Sequence, residues 1–207
     1  MDSPCVKMVP FVELQQEHVE GARVFSQRKS LVDWLIPRSG VIAELGVAYG
    51  DFAEFLLTTL VPVKYVGIDF FTLTGSGSFM GYSPEERFGG LSHLEFVIKR
   101  FINNKHVEIR RGGSAVELAK FPNRFFDFIY VDASHDYGPV RLDLEVSNLK
   151  AKRGGYIILD DYTTHGHIEG GCYGVVPAVN EFVVEGHHKV VGFAINNFYW
   201  NIAIQIA

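Results

Sequence analysis

Short apolar runs rich in β-branched and aromatic residues alternate along this chain with stretches of helical period. Residues 41–47, 64–71, 106–111, 126–133, 156–162, 189–195 and 198–206 read as seven strands. The inner runs, VIAELGV, YVGIDFF, FDFIYVD and YIILDD, are almost continuously apolar until an acidic residue appears. Parallel strands covered on both faces have this texture, with the polar end at the carboxyl edge of the sheet. Between them, Asp51 with Glu54 and Ser92 with Glu95 are spaced as helix-capping pairs. After Ser92, residues Leu94, Val97, Ile98, Phe101 and Ile102 follow the stripe of a helix packed on one side.

Strand–helix alternation with short connections implies right-handed crossovers and a doubly wound, mostly parallel α/β sheet of seven strands. A terminal antiparallel hairpin closes it. Asn196-Asn197 reads as the hairpin turn, because asparagine tolerates left-handed backbone angles. The same reading accounts for residues 190–207, which lack charge and approach the length of a membrane span but contain Asn196, Asn197, Asn201 and Gln205. Residues 1–30 read as a peripheral helical segment of one domain spanning 1–207. Segments 72–90 and 163–174 are loop-like and leave the carboxyl ends of strands, where such sheets have their ligand crevice. Both are candidate lids.

Composition narrows the class. A chain of 207 residues suits one domain that buries roughly 70% of its unfolded surface and needs no staples. With 47% hydrophobic and 21% charged residues it has the means to fold. A net charge of −5 argues against a nucleic-acid partner bound by phosphate neutralisation. Cys5 and Cys172 are too few for a disulfide framework and fit a reducing compartment, and the N-terminus lacks the pattern of a signal peptide. The expectation is a cytoplasmic protein with no membrane partner; a homo-oligomer is compatible with it.

Three motifs carry chemistry. Glu44-Leu45-Gly46-Val47-Ala48-Tyr49-Gly50 closes the first strand, where glycine permits a tight turn and a following helix start presents free N–H groups. The pattern E-x-G-x-x-x-G is not that of dinucleotide sites, and its acid suits an amine-bearing cofactor better than a pyrophosphate. Asp69 closes the second strand, placed to accept hydrogen bonds from ribose hydroxyls. Gly112-Gly113-Ser114-Ala115 follows the third strand and serves either as an adenine edge or as a plain turn and helix cap.

The order of these motifs, followed by VDASH, a helix, GGYIILDDY and a terminal hairpin, resembles class I S-adenosylmethionine-dependent methyltransferases over roughly residues 30–207. The later half resembles metal-dependent O-methyltransferases of the catechol and macrolide-sugar types. The resemblance implies S-adenosylmethionine as cofactor, with Glu44, Gly46 and Gly50 at its amino-acid end and Asp69 on its ribose. It also implies that Phe70, Ser114 and Asp132 belong to the cofactor site.

The later half has its own chemical argument. Asp132 ends the fourth strand and Asp160-Asp161 the fifth; neighbouring strands lie about 4.8 Å apart, so the three carboxylates can converge on one cation. Three acids without cysteine select Mg2+ or another hard divalent ion. His135, three residues after Asp132, is the candidate general base, with Asp136 in reserve; Ser134 stands where some relatives have an aspartate base. His165, His167 and Cys172 share a glycine-rich loop whose spacing is weak for zinc, and the loop reads as a substrate wall. The expected activity is metal-assisted methylation of a hydroxyl on a small molecule or sugar. Rival readings are a metal-independent methyltransferase acting on nitrogen, carbon or carboxylate, a nucleotide-binding oxidoreductase, and a non-catalytic cofactor-binding module.

Overall fold

A computed structural model describes residues 11–166, 170–196 and 199–207. In chain order the elements are α1 (Gln16–Val19), β1 (Arg23–Phe25), α2 (Arg28–Leu35), β2 (Val41–Leu45), α3 (Asp51–Leu60), β3 (Lys64–Asp69), α4 (Pro84–Phe88) and α5 (His93–Phe101). There follow β4 (Val107–Arg111), α6 (Ser114–Leu118), β5 (Phe126–Val131), α7 (Tyr137–Lys150), β6 (Ala151–Leu159), α8 (Val175–Glu185), β7 (Lys189–Asn196) and β8 (Tyr199–Gln205). The strands form one sheet in the order β1-β7-β8-β6-β5-β2-β3-β4. All neighbours are parallel except β8, which runs antiparallel to both β6 and β7.

The α/β class and the terminal hairpin are as the sequence implies, but the described residues form eight strands where seven are expected. The eighth is β1, which pairs parallel with β7 from Arg23↔Gly192 to Phe25↔Ala194. The N-terminal segment is therefore not wholly helical: within residues 11–30 it gives a four-residue helix, an edge strand and the start of α2. Residues 1–10, Cys5 included, and Asn197 of the expected Asn196-Asn197 turn lie outside the described residues, while Asn196 is the last residue of β7. Among the described residues no helix is long and apolar enough to cross a membrane, and the uncharged C-terminal stretch gives the strands β7 and β8.

Alternation along the strands sorts the core into two layers. Ala43, Leu45, Ile129, Val131, Ile157 and Leu159 face α7 and α8, against residues such as Leu144, Val179 and Val183. Ile42, Tyr65, Phe128, Tyr130 and Ile158 face α2 and α3, against Leu31, Phe52 and Leu56. Glu44 shares the parity of Ile42, so the strand that delivers the first motif carries its acid into the second layer. The Ser92–Glu95 capping box forms as expected, with the Ser92 amide donating to Glu95 at 2.8 Å. The Asp51–Glu54 pair does not: Gly50 occupies the cap position of α3 in a left-handed conformation, and Asp51 opens the helix.

Candidate active site

The carboxyl ends of β2, β3, β4, β5 and β6 meet along one edge of the sheet, where the sequence motifs lie. At the end of β2 the chain must turn against β5. Gly46 has φ +89°, and a Cβ there would lie 1.8 Å from the Asp132 carbonyl oxygen, so no other residue fits. Gly50, at φ +80°, would put a Cβ 2.9 Å from the Phe101 ring. The loop between them is gathered by Asp69, whose carboxylate accepts from the amides of Val47 (2.9 Å), Ala48 (3.0 Å) and Phe71 (2.7 Å). The expected ribose acceptor thus already has three backbone donors and organises the glycine loop. Glu44 does not face the crevice: it is 1% exposed and accepts a hydrogen bond from the Tyr65 hydroxyl. Burial pushes its carboxyl up to about 8, against the hydroxyl bond and Arg28.

Phe70 stands 62% exposed beside the turn at Gly113, where a Cβ would meet its ring at 3.6 Å. The next residue, Ser114, starts α6 and donates its hydroxyl to the buried Asp143 carboxylate at 2.6 Å.

The three acids expected to share a cation part company. Asp161 adopts φ +53°, rare for a residue with a side chain, so the adjacent carboxylates diverge. Asp160 is 7% exposed and pairs with Arg28, while Asn201 donates to it at 2.6 Å. Asp161 instead lies 2.8 Å from His135 Nε2. Asp132, His135 and Asp161 each offer a ligand atom within 4.8 Å of the others. Burial and the neighbouring Asp160 push the Asp132 carboxyl well above the usual carboxylate range, against Arg28 at 3.6 Å.

His135 is fixed from several sides. Its ring stacks on Tyr173 with centroids 4.2 Å apart, and its carbonyl accepts from the Gly174 amide at 2.7 Å. Tyr173 and Gly174 thus pack against the base candidate. Cys172 is disulfide-bonded, against the expectation that the two cysteines fit a reducing compartment, and His165 forms a bridge to it along the backbone; His167 lies outside the described residues. The reserve base, Asp136, occupies the cap position of α7.

Three participants escape sequence reasoning. Arg28 donates to Tyr130 at 3.0 Å and to Asp160, and packs over the Phe52 ring at 4.4 Å. Burial opposes its charge, but Tyr130, Asp160 and Asp132 together hold it above its ordinary range. Its position before the first inner strand carries no motif. Asn201, fully buried on β8, was legible only as a polar break in an apolar run. His93, 2% exposed, accepts from Leu73 N at Nδ1 (3.2 Å), which leaves Nε2–H to donate to Ala48 O (2.7 Å). It ties segment 72–90 to the glycine loop. That segment is also held where Arg87 lies between Tyr49 and Tyr82, 4.4 and 4.2 Å from their centroids, with both oxygens of Asp51 at 2.6 and 2.7 Å.

Comparison with known proteins agrees with this arrangement. The chain superposes on a SAM-dependent methyltransferase from Aquifex aeolicus with a TM-score of 0.59 at 14% identity, covering 93% of this chain and 92% of that one. A putative rRNA methylase from Clostridium thermocellum gives 0.60 at 12%, over 86% and 93% of the two chains. The m1A22 tRNA methyltransferase of B. subtilis gives 0.58 at 13%, over 88% and 67%. At such identities the likeness is one of fold. No curated protein matches the chain in sequence. A family profile described as a methyltransferase domain does match, over residues 43–162, from the glycine loop to the acids that follow β6. Because that span is more than half of the chain, the protein belongs to this methyltransferase family and is a class I S-adenosylmethionine-dependent enzyme.

Proposed function

We propose that the chain is a single-domain O-methyltransferase that transfers the methyl group of S-adenosylmethionine to a hydroxyl of a small molecule, with a divalent cation at the strand tips. The observation that carries this reading is the approach of Asp132, His135 and Asp161 within 4.8 Å. The donor set fits such an ion. Asp132 and Asp161 offer the oxygen ligands that hard ions such as Mg2+ or Mn2+ take, and the imidazole beside them is kept for the proton. Asp132 and Asp161 would hold the ion, which when bound lowers the pKa of a ligated hydroxyl. His135, oriented by Asp161 and the Tyr173 ring, takes the hydroxyl proton. Gly46, Gly50, Asp69, Phe70 and Ser114 would line the cofactor, with Glu44 buttressing the loop from beneath. Segments 72–90 and 163–174 would wall the acceptor in and exclude water, so that nucleophile and methyl carbon meet in line.

Arg28 favours a second reading. A guanidinium already beside Asp132 and Asp160 could serve in place of a metal, leaving His135 and Asp161 to act as a dyad on oxygen, nitrogen or carboxylate. A nucleic-acid acceptor, as in the neighbours described as tRNA and rRNA enzymes, has less support. The chain is acidic overall, and Arg100 and Arg110 are committed to Asp51, Glu54 and Glu108.

Methyl-transfer assays with and without chelator separate the first two readings. Loss of turnover in chelator, restored by Mg2+ or Mn2+, supports the metal; full turnover in excess chelator sinks it. In either case His135→Ala should lower kcat by about 10²–10⁴-fold while cofactor affinity holds. An unchanged rate would remove His135 from the chemistry.

A further inference from the structure

Asp143 has no part in the chemistry described so far. It sits on α7, 1% exposed, and faces the start of α6. Its Oδ1 accepts the Ser114 hydroxyl at 2.6 Å, while its Oδ2 is buried with no hydrogen-bond partner among the described residues. An ionised carboxylate only accepts, and a serine hydroxyl has one proton and two lone pairs. The proton of Ser114 is therefore committed to Asp143, and the hydroxyl can offer anything else only a lone pair. Burial raises the Asp143 carboxyl to about 6, against the Ser114 hydroxyl and the Ala115 amide, and above that value the ionised group only accepts.

We propose that Asp143 is a positioning residue for base recognition: by holding the Ser114 proton it makes that hydroxyl an acceptor aimed at the exocyclic amino group of the cofactor's adenine. This rests on the reading that places the cofactor base beside Phe70 and Ser114. The exposed Phe70 ring next to Gly113 offers a flat apolar face for a base, and the acceptor lies one residue further on. With N9 substituted, the exocyclic amine is the only N–H donor adenine has, so an acceptor-only hydroxyl pairs there or nowhere. Hypoxanthine carries a carbonyl at the same place, and lone pairs then face each other. The site is thus built to reject a 6-oxo base.

Calorimetry with S-adenosylhomocysteine and S-inosylhomocysteine tests this. The wild type should favour the adenosyl ligand by about tenfold, the worth of one hydrogen bond gained against one acceptor stranded. In Asp143→Asn the amide can donate to Ser114, freeing the hydroxyl proton to point at the base. The preference should then collapse to within about twofold, with the inosyl ligand binding more tightly than to the wild type. A gain of affinity cannot come from damaged folding. If Asp143→Asn keeps the wild-type ratio while Ser114→Ala lowers it, Asp143 is a helix cap alone and the inference falls. If neither variant alters the ratio, the base does not lie at Ser114 and the placement of the cofactor falls with it.

Discussion

Glu44 is held inside the sheet by the Tyr65 hydroxyl, with Arg28 and Asp69 acting on it from a distance. Its folded-state pKa, raised from 4.5 to about 8 by burial, makes it a source of pH-dependent stability. Between those values the native chain holds a proton that the unfolded chain releases, so stability falls as pH rises through the window and levels off above about 8. Asp143, raised to about 6, adds a slope of the same sign at lower pH. Glu44→Gln keeps the shape and the acceptor for Tyr65 but cannot ionise. Urea unfolding at pH 5 and pH 8.5 should therefore show a flatter profile for the variant, with a gain over wild type at the higher pH on the order of 3 kcal/mol. Equal slopes would mean that Glu44 ionises without cost. The sequence showed an acid at a strand-to-helix turn and invited the reading that it faces a ligand. Strand parity decides otherwise: Gly46 makes the turn, and Glu44 lies two residues before it on the side of Ile42 and Tyr65.

The inner strands were legible because each is buried on both faces, and such strands must be apolar whatever surrounds them. Elements at the margin obey no such constraint. β1 has three residues, Arg23 and Val24 are exposed, and it becomes a strand only because β7 offers an edge, so nothing local distinguishes it. α5 stops at Phe101, and the stripe projected past it leaves Ile102 69% exposed. Asp51 fails as a cap because Arg87 and Arg100, 36 and 49 residues away in sequence, draw its carboxylate outward. The same applies to the site: β5 and β6 bring Asp132 and Asp161 together as their strand ends foretold, while α2 sends in Arg28 and diverts Asp160. Helix α2 precedes the span matched by the family profile, yet its guanidinium neutralises that buried acid. Arg28→Ala should accordingly cost about 3 kcal/mol, because it strands a buried carboxylate. Adding Asp160→Asn should recover part of the loss, since Asn201 and the Asp161 amide remain to satisfy the side chain. Denaturation of both variants checks this; a double variant no better than the single would show that Arg28 acts through Phe52 packing.

At the scale of the whole molecule, two loop segments bracket one edge of the sheet and grip it differently. Segment 163–174 is tied to the acid cluster through the stack of Tyr173 on His135, with Tyr199 beyond it at 6.2 Å. Segment 72–90 is tied to the glycine loop, through His93 on Ala48 and through Arg87 between two tyrosines. With the cofactor and acceptor placed as proposed, one segment would respond to the acceptor and the other to the cofactor. The Arg87–Asp51 pair is the more labile tie: Asp51 is 45% exposed, and ion pairs in contact with water are worth about 0.2–1 kcal/mol and weaken in salt. The His93 tie, by contrast, is buried and holds the base of the segment in place. Arg87→Ala should therefore leave global stability within about 1 kcal/mol of wild type while speeding S-adenosylhomocysteine release by about two- to fivefold. Raising ionic strength should speed release from the wild type toward the rate of the variant and leave the variant itself little changed. Stopped-flow release measured against salt reads both effects, and amide exchange should quicken within 72–90 but not within 163–174. If release is unchanged and exchange quickens in both segments together, the two loops move as one unit, and the separate response to cofactor and acceptor is wrong.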